Sequence, residues 1–210
     1  MKQIRGCSRL CYAPYTVDAE TGAITFGTVK SVGAVKSISR EISSESEEVW
    51  ADNKLDDTTF GGTAVTRTFG CTRLDPAVEA ELLGNTVIEG GTTTKTKLYG
   101  TPADGSTRPY FAFGYALHDG KVNQPCEVVW AFKGIVNSIS KTANTIDRGT
   151  GSEGQEIQVT FNSVDKPWTK TSANELDIYL PLDSKQDNTA LVEKWFKQVV
   201  TYDNAETVLV

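Results

Sequence analysis

Residue types that build catalytic and metal sites are scarce in this chain. It has a single histidine, His118, and none of its four cysteines forms a C-x-x-C pair. A histidine-rich zinc site and a paired-histidine mechanism both need more such residues than one chain supplies. We therefore expect no enzyme activity, no cofactor and no metal. The cysteines are expected to be reduced and mostly buried: Cys7, Cys11, Cys71 and Cys126.

Long apolar runs are missing as well. No stretch approaches the roughly 20 apolar residues of a membrane helix, and no apolar segment typical of a secretion signal follows the charged first residues. The formal net charge of −6 argues against sequence-specific binding of nucleic acid and against anionic membranes. We expect synthesis in the cytoplasm and a single domain over residues 1–210, since single β cores reach about this size.

β-branched residues are abundant. The chain has 26 Thr, 19 Val and 10 Ile among 210 residues, which favours strands. On residues 110–118, alternation places Phe111, Phe113 and Tyr115 on one face and small residues on the other. Similar patterns predict strands over 28–43, 47–52, 63–74, 92–99, 126–136, 138–147, 156–162 and 176–180.

Two helices are predicted, and the first is short. Asp75 followed by Pro76 is typical of an N-cap and the first helical position, and Gly84 stands where a helix commonly ends in the left-handed conformation.

The second predicted helix covers residues 189–200, with Asp187 or Asn188 as its cap. Leu191, Trp195 and Val199 recur every four residues there and form an apolar stripe. We expect this stripe to pack against a sheet.

Two apparent catalytic or cofactor motifs are weak. His118 and Asp119 invite comparison with a Ser-His-Asp triad, but the chain has no G-x-S-x-G turn, and the histidine precedes a turn-forming Asp-Gly pair. The favoured interpretation is a half-exposed histidine at a strand end. Glycines at 149, 151 and 154 form a loose G-x-G-x-x-G, but a strand-like run follows instead of a helix, so a loop is expected.

An acidic segment at residues 44–62 is predicted to form an extended hairpin. Its carboxylates do not follow the spacing of a calcium loop, which leaves a solvated hairpin or an assembly contact as the main alternatives. Apolar residues interrupt the acidic run, which favours contact with another subunit. The candidate contact residues are Trp50, Asp52, Leu55 and Phe60.

An ordered set of segments resembles the major tail proteins, or tail tube proteins, of long non-contractile-tailed bacteriophages (siphophages). Residues 49–54, Val-Trp-Ala-Asp-Asn-Lys, look like the family's x-x-Y-A-D-D element with Trp and Asn as departures. The Ala-Glu-Leu-Leu-Gly helix at 80–84, the aromatic strand at 108–115 and the Pro-Trp pair at 167–168 follow in order. The Trp-Phe helix at 195–196 completes the series, so the resemblance covers about 200 residues.

The resemblance implies a mainly β chain: a mixed β-sandwich or barrel of the tail tube type, with one short flanking helix and a C-terminal helix. It also implies hexameric rings that stack into the hollow tail tube, through which DNA passes and in which the tape-measure protein sits. Other implied partners are the distal tail and tail-terminator proteins, and the implied location is the virion tail, after synthesis in the host bacterial cytoplasm. The net negative charge of the chain is compatible with a channel that does not bind the phosphate groups of DNA.

Two other functions stay open. A carbohydrate- or protein-binding β-sandwich module would present aromatic residues clustered on one exposed face. A tube subunit of a related secretion system or phage-like particle would share the sequence features of a tail tube.

Overall fold

The computed structural model describes residues 4–51, 54–91, 96–105, 108–120, 124–142, 154–183 and 186–209. These residues form a mainly β structure with three helices. The strands are β1 (Gly6–Val17), β2 (Ile24–Phe26), β3 (Lys30–Ser31), β4 (Val35–Ala51), β5 (Lys54–Cys71), β6 (Thr86–Gly90), β7 (Thr96–Gly100), β8 (Tyr110–His118), β9 (Pro125–Lys141), β10 (Gln155–Phe161) and β11 (Asp177–Pro181). The helices are α1 (Pro76–Leu83), α2 (Thr189–Lys197) and α3 (Ala205–Leu209).

Nine strands form one large sheet, and β6 and β7 form a separate hairpin. The main path runs β2-β1-β8-β9-β10-β5-β4, with β3 beside β1 and β11 beside β9. The pairs formed by the described strands are all antiparallel. One edge of β9 has two partners, β10 along residues 134–141 and β11 along 127–131.

The sheet curls around a first hydrophobic core. Along β8, the large side chains of Phe111, Phe113 and Tyr115 point into this core, while the small residues between them face the opposite side of the sheet. Where the curled sheet closes, the backbone N–H of Val32 donates to the carbonyl of Leu10 at 3.0 Å. The curled sheet is therefore barrel-like around its aromatic interior.

A second core covers the opposite face of β1, β8 and β9. Trp130 and Phe132 of β9 are fully buried there, against α2 and the segment before β11. The indole Nε1 of Trp130 donates to the backbone carbonyl of Trp195 at 3.0 Å, and the rings of Phe132 and Trp168 lie 4.7 Å apart. The sheet thus separates two cores, and α2 closes the second.

Helix α1 has the predicted bounds and closes one end of the barrel. The Asp75 carboxylate accepts a hydrogen bond from the N–H of Ala77 at 2.8 Å, and Gly84 adopts φ 69°. Leu82 is fully buried in the first core. An ion pair joins Glu79 to Lys141 at the end of β9, so α1 lies where β9 ends and β10 begins.

Other predicted elements have different bounds. The strands predicted at 28–43 and 47–52 are replaced by short β3 and a continuous β4, and those predicted at 126–136 and 138–147 merge into β9 as far as residue 141. β1, β2, β6 and α3 were not predicted. β1 escapes the alternation pattern because its register with β8 shifts between Ser8 and Cys11, at a bulge where Arg9 has φ 56°. The predicted loop at 149–153 lies outside the described residues.

Candidate functional site

A two-stranded arm extends from the body of the protein. β5 pairs with β10 only along residues 65–71, whereas its register with β4 continues through Ser44↔Thr63 to Ala51↔Lys54. Within the described part of the chain, residues 44–51 and 54–63 therefore pair only with each other. We call these residues the arm. The sequence predicted separate strands at 47–52 and 63–74, whereas β4 and β5 continue through the whole arm.

The predicted contact residues lie on this arm. Trp50 and Leu55 are register partners near its tip, and Phe60 is paired with Ser46. Asp52 lies outside the described residues. The structure thus brings three of the four predicted contact positions onto one projecting ribbon.

The arm region carries most of the net charge of the protein. Residues 44–62 contain six acidic side chains and one lysine, against a formal net charge of −6 for the whole chain. The remaining body is therefore close to neutral. This segregation marks the arm as a distinct electrostatic surface.

The β6–β7 hairpin is a second projecting element, and it exposes four large apolar side chains. All ten of its residues are exposed. The register pairs Ile88 with Leu98, which are 59% and 60% exposed, and Val87 with Tyr99. Sequence reasoning took residues 92–99 as an ordinary strand and missed this surface.

A cleft separates β4 from the chain leading into β11. It has a volume of about 390 Å³, and Ile42 and Thr63 line one wall while Glu175 and Asp177 line the other. Ile42 is 56% exposed although it belongs to a strand of the main sheet. The cleft exists because β10 ends at Phe161 and β11 pairs with β9 alone, which leaves space beside β5.

A buried ion pair lies beside this cleft, since its carboxylate belongs to Asp177, one of the cleft residues. Arg67 is fully buried, and its guanidinium donates to the carboxylate of Asp177, which also lies 3.4 Å from Arg40. The Arg67 guanidinium stands 4.8 Å from the centre of the Phe161 ring. Burial raises the pKa of the Tyr115 phenol beside this cluster. These contacts fix β5 to β11 across the barrel interior.

His118 is buried, contrary to the half-exposed position expected. Only 6% of it is exposed, and its Nε2 lies 2.7 Å from the hydroxyl of Ser8. The pair lines a pocket of about 460 Å³ together with Arg9 and Thr189. The bond joins the start of β1 to the end of β8, 110 residues apart, so no local sequence signal could have indicated it. Acyl transfer by a serine and a histidine also requires hydrogen-bond donors that stabilise the oxyanion of the transition state. The contact between Ser8 and His118 therefore does not by itself indicate catalysis.

The predicted helix stripe is only partly buried. Trp195 and Val199 are 1% and 4% exposed, whereas Leu191 is partly exposed and Val192 is buried in its place. Val199 lies beyond the last residue of α2. Asn188 is the N-cap residue and makes no side-chain hydrogen bond to the helix, whereas Asp187, one residue earlier, accepts hydrogen bonds from the N–H and the hydroxyl of Thr189.

Among the described residues, no group of three or more His, Cys, Asp or Glu side chains is placed to hold a metal ion. No helix in the described part of the chain is long and apolar enough to cross a membrane. No protein-family model matches this chain, and no curated protein matches it.

Proposed function

We propose that the protein is a structural subunit of a phage tail tube. Its copies form hexameric rings, and the rings stack into a hollow tube. The observation that carries the proposal is the arm, a long ribbon that pairs with nothing else in the described part of the chain. The order of segments shared with tail tube proteins supports the same function.

We infer that an arm of this kind serves contacts beyond its own subunit. Eight residues of β4 run from Ser44 to Ala51, a reach of about 27 Å at strand spacing. A two-stranded ribbon is marginally stable by itself in water, and acidic residues alone do not require apolar positions among them. In the proposed tube, the arm lies against a neighbouring subunit and buries those apolar positions there.

The edges of the main sheet also favour assembly. β4 is the last strand of the path, and β5 is its one hydrogen-bonded strand partner in the described structure, so beyond the point where the sheet closes its other edge is available. Unpaired strand edges bind further strands, and closure of a ring removes them. Strands of neighbouring subunits would thereby form a continuous wall around the channel.

The acidic arm and near-neutral body suit the passage of DNA. Each Lys or Arg in contact with a phosphate adds a salt-dependent attraction that would slow the DNA. In this function the tube encloses the tape-measure protein and ends at distal tail and tail-terminator proteins. It would reside in the virion tail after synthesis in the bacterial cytoplasm.

A carbohydrate- or protein-binding module is less well supported. Among the described residues, the large exposed hydrophobic side chains include two aromatics, Tyr99 and Tyr179, on separate elements. Such a module would present a cluster of aromatics on one face.

The decisive experiment removes residues 47–58 and follows polymerisation by sedimentation and electron microscopy. We expect the deletion variant to fold, because the arm strands pair only with each other in the described structure and segments outside a core can be removed at small cost. We also expect it to form no tubes. Tubes of normal length from the deletion variant would contradict the proposed role of the arm.

A second variant controls for the loss of charge. Replacing Trp50, Leu55 and Phe60 together by Ser keeps the length and the acidic residues of the arm. We expect this variant to lose tubes as well, because the apolar positions supply the contact. Wild-type protein that forms no tube under any condition of concentration and salt would overturn the proposed function.

A further inference from the structure

We propose that the pocket lined by Ser8, Arg9 and His118 binds a small organic anion, whose phosphate or carboxylate group contacts Arg9 and Ser8. We call it the anion pocket. It lies between the start of β1, the end of β8 and the start of α2, and its volume is about 460 Å³. Pockets that hold small ligands commonly measure about 300–1,000 Å³. The site needs only one copy of the chain, so it is independent of the proposed tube.

A bulge in β1 forms the polar wall of the anion pocket. The register with β8 shifts between Ser8 and Cys11, where Arg9 and Leu10 lie opposite a single residue of β8. Side chains alternate along a regular strand, and an extra residue reverses the alternation beyond it. In a regular β1, Ser8 would share the face of Leu10, which is buried in the first core. The bulge turns Ser8 to the opposite face, where His118 lies.

Arg9 occupies the strained position of this bulge. Its φ of 56° lies in the left-handed region, where glycine is the usual residue because a Cβ is unfavourable there. The side chain is exposed, and its guanidinium forms no ion pair with the residues that the structure describes. No contact within the fold therefore compensates for the strain, and strained residues are common at ligand sites. The guanidinium is available to an anion.

Ser8 and His118 together direct a second donor into the anion pocket. Nε2 of His118 lies 2.7 Å from the Ser8 hydroxyl. When Nε2 carries a proton it donates to the hydroxyl oxygen, and the hydroxyl hydrogen is then able to reach another acceptor. An anion beside Arg9 would be that acceptor, because hydrogen bonds to charged groups are stronger than those between neutral groups. His118 is thus a positioning residue for the Ser8 hydroxyl.

The apolar part of the lining favours an organic anion over a bare ion. Ala116 of β8, Pro125 of β9 and Val192 of α2 supply this apolar surface. No aspartate or glutamate is among the described residues that line the pocket. A phosphate ion alone would leave the apolar surface in contact with water, whereas an organic group attached to the anion would cover it.

A carboxylate beside the pocket gives the ligand its orientation. Thr189, the remaining lining residue, donates its N–H and its hydroxyl to Asp187 at 3.0 Å and 2.6 Å. The Thr189 hydroxyl therefore has no hydrogen left for a ligand, and the Asp187 carboxylate repels an anion from the start of α2. The anionic group is placed on the β1 side, beside Arg9 and Ser8, and the organic group on the α2 side, beside Val192.

The first experiment observes the pocket through His118. It is the single histidine of the chain, so its ring nitrogens give unambiguous signals in heteronuclear NMR. The probes are phenyl phosphate and benzoate, with inorganic phosphate and uncharged benzyl alcohol for comparison, all at one pH and one ionic strength. We expect phenyl phosphate or benzoate to shift these signals saturably, and at least about fivefold more tightly than inorganic phosphate. The tighter of the two identifies the anionic group.

Three results of this titration would overturn the proposal. The first is the absence of saturation below about 10 mM for both organic anions, which is weaker than a built site should bind. The second is equal binding of benzyl alcohol, which would show that the charge is not recognised. The third is equal binding of inorganic phosphate, which would show that the apolar surface takes no part.

Variants assign the two donors. Arg9→Gly removes the guanidinium and relieves the left-handed strain, so the melting temperature should stay level or rise. Ser8→Ala removes the hydroxyl. We expect each to lose at least about tenfold in affinity for the tighter probe, because each loses a hydrogen bond to a charged group. The matched control is Arg73→Ala, which removes an exposed arginine outside the anion pocket and should bind as the wild type does.

The control also separates a site from general attraction. Unchanged affinity in Arg9→Gly would overturn the proposal, and so would an equal loss in Arg73→Ala. The titrations are made at concentrations where the protein sediments as a monomer. Wild-type protein that binds the probe but forms no tubes would refute only the tube, whereas tubes from wild-type protein that binds neither organic anion would refute only the anion pocket.

Discussion

At the scale of single residues, Trp195 holds the C-terminal segment to the sheet. It is 1% exposed, and its carbonyl accepts the hydrogen bond of Trp130. We expect Trp195→Ala to lower the free energy of unfolding by roughly 3–5 kcal/mol, because a large buried side chain is replaced by a cavity. Urea denaturation would measure this, with exposed Lys197→Ala as a control expected to stay within about 0.5 kcal/mol. A similarly small loss for Trp195→Ala would mean that α2 contributes little to the fold.

The cysteines provide a second test at this scale. Burial raises the pKa of the Cys11 thiol to about 12 and that of Cys71 to about 11, from an ordinary 9.0. We expect iodoacetamide at about pH 8 to modify half-buried Cys7 and Cys126 first and the other two only after unfolding, because the thiolate is the reactive form. Peptide mass spectrometry would show the order. Rapid labelling of Cys11 in the folded protein would contradict its burial.

These raised thiol pKa values also give a pH dependence. Below about pH 9 the thiols are protonated in both the folded and the unfolded chain. Above it, thiols ionise first in the unfolded chain, where their pKa is lower, so stability falls as the pH rises from about 9 toward the folded values of about 11 and 12. Replacement of Cys11 and Cys71 by Ala should reduce this alkaline loss in urea titrations.

Residue-scale predictions succeeded where the cause was local. Asp75 and Gly84 were assigned correctly because caps depend on residues within one turn. Leu191 was assigned wrongly to the buried stripe, because the choice between it and Val192 depends on how α2 rotates against the sheet. The contact of Ser8 with His118 depends on the register of β1 and β8, which local patterns do not contain.

At the scale of elements, α1 begins and ends at residues whose local conformational preferences determine its bounds. We expect Asp75→Ala to cost about 1 kcal/mol, because it removes the hydrogen bond to the N–H of Ala77. Gly84→Ala should cost about 1–2 kcal/mol, because φ 69° is unfavourable for a residue with a Cβ.

The control for the cap is Asp75→Asn, which retains an acceptor oxygen and should stay within about 0.5 kcal/mol of the wild type. Thermal or urea unfolding would rank the three variants. Equal losses for Asp75→Ala and Asp75→Asn would show that the cap hydrogen bond is not what stabilises the helix start.

Strand bounds were less accessible than helix bounds. The alternation in β8 gave its limits correctly, since both of its faces are buried against different cores. β4 and β5 were predicted too short, because the arm is mostly polar and lacks the alternation of apolar and polar residues that marks a strand with one buried face. The length of the arm comes from pairing between its own strands, a property of the whole hairpin.

At the scale of the whole molecule, the proposed channel should not retain DNA. We expect assembled protein to bind no double-stranded DNA in filter assays even at low salt, because the net negative charge offers few phosphate contacts. A variant with Glu47, Glu48 and Asp57 all changed to Lys should retain DNA if the arm faces the channel. Strong, salt-sensitive retention by the wild type would contradict a channel for rapid passage.

The overall class of the chain followed from composition, whereas the exposed apolar side chains of the β6–β7 hairpin did not. About a quarter of all residues are β-branched, which predicted a mainly β fold. The two separate cores arise because side chains along β8 and β9 alternate between the two faces of the sheet. The exposed hairpin could not be recognised, because Ile88 and Leu98 look like core residues until their surroundings are known.

The negative charge of the protein is distributed unevenly along the chain. Residues 44–62 hold five of the six net negative charges, so negative charge is concentrated in the arm region. Two copies that meet arm to arm repel each other, whereas a copy that meets the near-neutral body with its arm does not. Encounters in the same orientation are thereby favoured before any contact forms. The strength of this bias depends on ionic strength, so growth of a polar assembly would become less selective at high salt.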